Sequence, residues 1–227
     1  MASAPEASRA WLLIEHPGPW PPEPADAEFP APLGTLVTSA VDRGIRIQLI
    51  RRPGRREALE PDRPRTVFAG WTAGEDPWLR RGGFPAGFPA AAGPVDLDAL
   101  AAGQALAFGE PVSEPTFLVC AHGRRNVCCA RFGGPLVQTL AARFPGQVWE
   151  TTHVGGHRFA ANLVILPHGL YYGPVDAETA SAAIGAYQGG TVVPERYRGR
   201  AGQPRDVQTA EHARLLEAGS LKVAALT

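Results

Sequence analysis

Four residues constrain this chain more than any others: Cys120 and Cys129, spaced C-x8-C in CAHGRRNVCCA, and His153 and His157, spaced H-x3-H in HVGGHRFAAN. Thiolates and neutral imidazoles are metal donors, and two of each make a complete four-ligand set for zinc or an iron–sulfur cluster. The fold must therefore bring two separate segments to one point. Gly155 and Gly156 lie between the histidines. They disfavour a helical i, i+4 pair and allow a tight turn that returns His157 toward the centre of His153. No H-E-x-x-H pattern accompanies them, which disfavours a zinc hydrolase. A lone histidine here would read as a satisfied core residue, but two in a glycine-rich frame downstream of a cysteine pair read as ligands.

The rest of the composition bounds the context. At 227 residues with 44% hydrophobic content, the chain can bury a sizeable core as one large domain or two small halves. Its 22 basic residues balance 22 acidic ones, so no global field favours nucleic acid or an anionic membrane, and neither is expected as a partner. No run approaches the roughly 18 apolar residues of a membrane span, and the N-terminus lacks the cationic and apolar regions of a signal peptide. Three cysteines, an odd number with two adjacent, suit a reducing compartment, so a cytoplasmic location is expected.

Residues 10–16 read as a buried strand closed by the loop PGPWPPEP. Leu33, Leu36, Val37 and Val41 at helical spacing predict a helix over residues 32–43, ended by Gly44, and 45–52 and 65–72 alternate as strands. Residues 73–95 lack periodicity and read as a boundary or long loop. In the second half, residues 116–120 read as a strand ending at Cys120, with Cys129 in the following loop and Pro135 opening a helix. Residues 147–153 form the next strand, and a hairpin turns at His168 and Gly169. A helix capped by Asp176 and a terminal helix over 207–219 complete the pattern. The expected class is α/β, with an N-terminal half over 1–110, a cluster-binding domain over 111–190, and an Arg-rich segment with its helix over 191–227. The β-α-β-β-β-α order of the second half is that of a thioredoxin-like sheet. The first half reads as a degenerate version of it.

CAHGRRNVCCA, HVGGHRFAAN and LPHGLYYGPV together resemble the sucrase/ferredoxin-like family, closely over 115–175. WLLIEHPGPW, IRRPGR, RGR and the Q-x-x-E of the terminal helix extend the likeness across most of the chain. The resemblance implies a thioredoxin-like ferredoxin fold and a 2Fe–2S cluster bound by Cys120, Cys129, His153 and His157, with the thiolates on one iron and the imidazoles on the other. In the family an acidic residue often stands at the place of Asn126, a departure that leaves the four ligands intact.

The function this implies is a soluble electron carrier rather than an enzyme, meeting redox partner proteins. Histidine ligation makes the cluster less negative and raises its potential, and the imidazoles couple reduction to pH. Arg124, Arg125 and Arg158 flank the ligands and read equally as docking groups for an acidic partner or as solvated surface. Two alternatives use the same residues: a structural zinc module, and a thioredoxin-like thiol oxidoreductase working through Cys128 or Cys129, which the lack of C-x-x-C disfavours. Of the two adjacent cysteines the family spacing selects Cys129, and Cys128 reads as a buried small residue. His122 reads as a hydrogen-bonding neighbour of the ligands, and His168 and His16 read as surface histidines.

Overall fold

The computed structural model describes residues 3–29, 31–54, 65–84 and 95–226. The first half runs β1 (Ala10–Glu15), α1 (Ala31–Asp42), β2 (Arg46–Arg51), β3 (Arg65–Trp71), β4 (Trp78–Phe84), α2 (Leu97–Ala101) and a short β5 (Glu110–Pro111). The second runs β6 (Thr116–Cys120), α3 (Val127–Arg143), β7 (Val148–Thr151), β8 (Leu163–Leu166), β9 (Leu170–Tyr172) and α4 (Ala177–Gln188). A C-terminal stretch adds β10 (Thr191–Val192), β11 (Tyr197–Arg200), α5 (Arg205–Ala218) and β12 (Leu221–Lys222).

The class is mixed α/β. Among the described residues ten strands form one sheet in the order β11-β9-β8-β6-β7-β2-β1-β3-β4-β5. Within it the quartets β7-β6-β8-β9 and β2-β1-β3-β4 have the same arrangement. In each, the first two strands pair in parallel across a helical crossover, and the third and fourth are added antiparallel. Each quartet is followed by a helix, α4 or α2. The halves meet where β2 pairs antiparallel with β7, through Ile50↔Thr151 and Arg51↔Glu150 alone.

Strand alternation sorts side chains into separate cores. Leu12, Ile14, Ile47, Leu49 and Val67 face α1 and α2, meeting Leu33, Val37 and Leu100. Phe117, Val119, Leu163 and Ile165 face α3 and α4, meeting Val137, Leu140 and Ile184. The opposite faces of both halves share a third core: Trp11, Leu13 and Phe68 from the first, Leu118, Trp149 and Val164 from the second, with Cys120 and Cys129 at its margin. Phe68 and Trp149 meet edge to face with centroids 5.6 Å apart. Each fully buried Leu, Val or Phe contributes about 1.5–3 kcal/mol, so the halves are joined by side chains more than by the short β2–β7 ladder. No helix among the described residues is long and apolar enough to cross a membrane.

Three sequence expectations change. Residues 73–95 include a strand, β4, paired with β3 over seven positions. Gly82 and Gly83 weaken its sequence signal, yet a Cβ on Gly82 would sit 2.5 Å from the Phe108 ring that covers the strand. Helix α3 opens at Val127, so Pro135 lies inside it. His16 is buried at 3% exposure rather than surface-lying, and burial beside Arg65 and Arg51 lowers its pKa to about 4.

Candidate metal centre

Cys120 ends β6, Cys129 sits in the first turn of α3, and His153 follows β7. Since β6 and β7 are parallel neighbours, their C-terminal ends lie side by side, where the first turn of the crossover helix also reaches. Asn126 caps α3: its side chain accepts the Cys128 backbone N–H at 3.0 Å. This cap, rather than Pro135, starts the helix, and it orients the adjacent cysteines by helical rotation. Cys129 points inward and is buried while Cys128 is exposed, contrary to the reading of Cys128 as buried. Asn126→Ala is expected to cost about 1 kcal/mol of unfolding free energy. Denaturant unfolding measures it, and no loss would remove the cap from the account.

Donor atoms of Cys120, Cys129 and His153 all lie within 4.8 Å of one another. His153 Nδ1 is 3.5 Å from Cys129 Sγ and 4.0 Å from Cys120 Sγ. The Cys129 thiol donates to Cys120 Sγ, and this hydrogen bond, with help from His153, holds the Cys120 thiol well below its ordinary range although desolvation opposes it. The same bond, together with burial, pushes Cys129 up. A cation between the two sulfurs would displace their protons.

His157 stands outside this convergent group. It is exposed, and its ring centroid is 6.3 Å from that of His153. Gly155 (φ 98°) and Gly156 (φ 69°) take the positive dihedrals that the glycine pair suggests. At Gly156 space matters too, since a Cβ would lie 2.3 Å from Arg198 Nη2.

Several supports of the turn escaped the sequence reading. Arg46 on β2 donates to the His153 carbonyl at 3.2 Å, so the first half helps place a donor of the second. Tyr171 donates its hydroxyl proton to the Val154 carbonyl at 3.2 Å, and Asn162 Nδ2 donates to Gly156 at 3.2 Å. Arg198 in turn donates to Asn162 Oδ1. The RGR and FAAN motifs carried the signal, but nothing in their spacing says that they meet. His122 lies beside His153 as an acceptor: its Nδ1 takes the His153 backbone N–H at 3.2 Å. Burial lowers its pKa. Of the flanking arginines, Arg125 pairs with Glu23, Arg158 lies over Phe159 at 4.9 Å, and Arg124 is exposed without an ion-pair partner among the described residues. His168 is half-buried on Tyr187, 2.5 Å from its hydroxyl, not at the surface.

With this geometry in hand, comparison with known proteins adds the lineage. The profile of the sucrase/ferredoxin-like family matches residues 3–199. The chain belongs to the sucrase/ferredoxin-like family. Two curated relatives are both named altered inheritance of mitochondria protein 32. The protein from Meyerozyma guilliermondii is 29% identical over 102 residues, 40% of this chain and 36% of that protein. The protein from Debaryomyces hansenii is 27% identical over 101 residues, 40% of this chain and 37% of that protein. The chain thus spans little more than a third of the relatives' length. No solved structure matches. These names correct the functional expectation: the relatives are named for mitochondrial inheritance and not for electron transfer, so the reading of this family member as a soluble electron carrier is withdrawn.

Proposed function

We propose that the chain is a metalloprotein whose centre is held by Cys120, Cys129 and His153, with His157 as the nearby fourth donor. The observation that carries this reading is the convergence of three soft or borderline donors from β6, α3 and the turn after β7. Two buried thiols beside an imidazole form a site that a thiophilic cation stabilises by replacing their protons. The common strand order of the two quartets supports two thioredoxin-like units, the second carrying the centre. Three free thiols favour the cytoplasm as the compartment.

For the occupant we propose the 2Fe–2S cluster that the family resemblance implies. The donor types fit, two sulfurs beside two imidazoles on one glycine turn. When bound, the cluster supplies iron and acid-labile sulfide. The chain's own residues do the rest: Cys120 and Cys129 give up their thiol protons, Arg46 and Tyr171 hold the turn of His153, and the third core keeps water from the sulfurs. A second reading, a single zinc ion, is favoured by one observation. The 3.5 Å distance from His153 Nδ1 to Cys129 Sγ matches the roughly 3.5 Å edge of a tetrahedron with Zn–S near 2.3 Å and Zn–N near 2.0 Å, and Cys120 Sγ, at 4.0 Å, needs only a small shift to join it.

Anaerobic purification, with iron, zinc and acid-labile sulfide measured on one sample, tests both readings. About two irons and two sulfides per chain support the cluster, and one zinc without sulfide supports the second reading. Cys120→Ala is expected to abolish the metal content, whereas Cys128→Ser, at an exposed position, is expected to leave it unchanged. Retention of full metal by Cys120→Ala would reject the centre.

A further inference from the structure

Beside the cysteines a cleft of about 540 Å³ opens between the 17–20 loop and the β6–α3 turn. Trp20, Arg51, His122 and Arg124 line it, and among the described residues no carboxylate does. His122 is 1% exposed. Because its Nδ1 accepts the His153 N–H, the proton of the neutral ring sits on Nε2. That Nε2 is buried without a hydrogen bond of good geometry among the described residues; the Pro21 carbonyl is a weak acceptor beside it. A buried donor left unpaired is costly and rare, and calls for an acceptor supplied from elsewhere.

The charges around the cleft point to the kind of acceptor. Arg51 is neutralised by Glu150 at 2.5 Å and lies over the Trp20 ring at 4.1 Å. Arg125 is neutralised by Glu23. Arg124 is exposed and has no ion-pair partner among the described residues. The cleft therefore combines a net positive charge at its edge, an indole wall and an unsatisfied N–H donor.

We propose that this cleft binds a small oxyanion, the phosphate or carboxylate group of a small molecule, with His122 Nε2–H donating to it and Arg124 supplying the counter-charge. The ligand sits alongside the metal residues, because the lining residues Ala121 and Ala130 directly follow Cys120 and Cys129 in the chain. The site does not depend on which metal the centre takes.

Calorimetric titration of the full chain with inorganic phosphate, and separately with acetate, at low ionic strength tests the proposal. Saturable binding at one site per chain is expected for at least one anion. Preference for phosphate would assign a phosphorylated ligand, and equal or better binding of acetate a carboxylate. Arg124→Gln is expected to weaken binding about tenfold or more, the scale of one charge-assisted hydrogen bond. His122→Phe, which fills the ring volume without the donor, is expected to weaken it similarly, and Arg158→Gln, outside the cleft, to leave it unchanged. Should His122→Phe fail to fold, the side-chain Nε2–H resonance of the wild type gives the same information, since it should shift as phosphate or acetate saturates. Absence of saturable binding by both anions, or binding that Arg124→Gln leaves unchanged, would overturn the site.

Discussion

Gly133→Ala is expected to destabilise the fold and to strip the proposed metal centre together. A Cβ at Gly133, in the second turn of α3, would lie 1.9 Å from the Cys120 carbonyl oxygen and 2.9 Å from its carbonyl carbon. Both partners are backbone, one in a helix and the other at a strand end, so no rotamer change relieves the overlap. The helix has to move off β6, and that movement separates Cys129 from Cys120. Helix propensity acts in the opposite sense, favouring alanine by about 1 kcal/mol. Overpacking against fixed backbone costs typically 1–3 kcal/mol and here exceeds that range, so a net loss of about 2 kcal/mol or more is expected. Gly134→Ala is the control, because its Cβ meets nothing within 4 Å. It should gain up to about 1 kcal/mol from propensity alone and keep its metal. Thermal unfolding and metal analysis of the two variants read the difference, and equal behaviour of both would contradict the close approach of α3 to β6.

Glu211→Ala should be about as damaging, for an electrostatic reason. Glu211 on α5 is 6% exposed and Arg200 on β11 is 1% exposed. Their Nε–Oε2 distance is 2.8 Å, and the other carboxylate oxygen accepts from the Tyr197 hydroxyl. Removing the carboxylate leaves a guanidinium buried without its counter-ion, beside a hydroxyl without its acceptor. Breaking a buried pair in this way costs about 3–5 kcal/mol. Replacing both residues, Arg200→Met with Glu211→Leu, should restore much of the loss, because no uncompensated charge then remains. Denaturant unfolding measures both, and a Glu211→Ala loss below about 1 kcal/mol, the scale of a surface pair, would show that the pair is not desolvated.

These two sites also show where the sequence was readable. RGR and Q-x-x-E stood out as motifs, and the structure gives each residue a partner: Arg198 with Asn162, Arg200 with Glu211, and Gln208 Nε2 donating to the Ala4 carbonyl at 3.1 Å. The motifs were legible as residue patterns, while the pairing was not, because Gln208 and Ala4 lie at opposite ends of the chain. The α/β class and most strands followed from apolar runs and alternation. β4 did not, because Gly82 answers to Phe108, a contact that only the tertiary structure creates. The helix start at Val127 was signalled by Asn126, but Pro135 is a stronger local mark and drew the boundary too late.

The cysteine and histidine spacing was the most informative pattern, and its geometry came out uneven. Cys120, Cys129 and His153 converge because parallel β6 and β7 end together and α3 begins there. His157 lies one turn further and exposed, which spacing alone does not distinguish from a ligating position. The support from Arg46 was out of reach of the sequence, because it depends on the β2–β7 junction, where residues about a hundred positions apart pair. The repeated strand order of the halves was only faintly visible for the same reason: topology is carried by register, and register by contacts between distant segments.

X-ray absorption at the edge of the metal held by the anaerobically purified protein tests the central claim most directly. Sulfur scatterers near 2.3 Å together with nitrogen scatterers near 2.0 Å are expected, with loss of the sulfur shell when Cys120 and Cys129 are both replaced by alanine. A shell of oxygen and nitrogen without sulfur, or a spectrum unchanged by the double replacement, would contradict it.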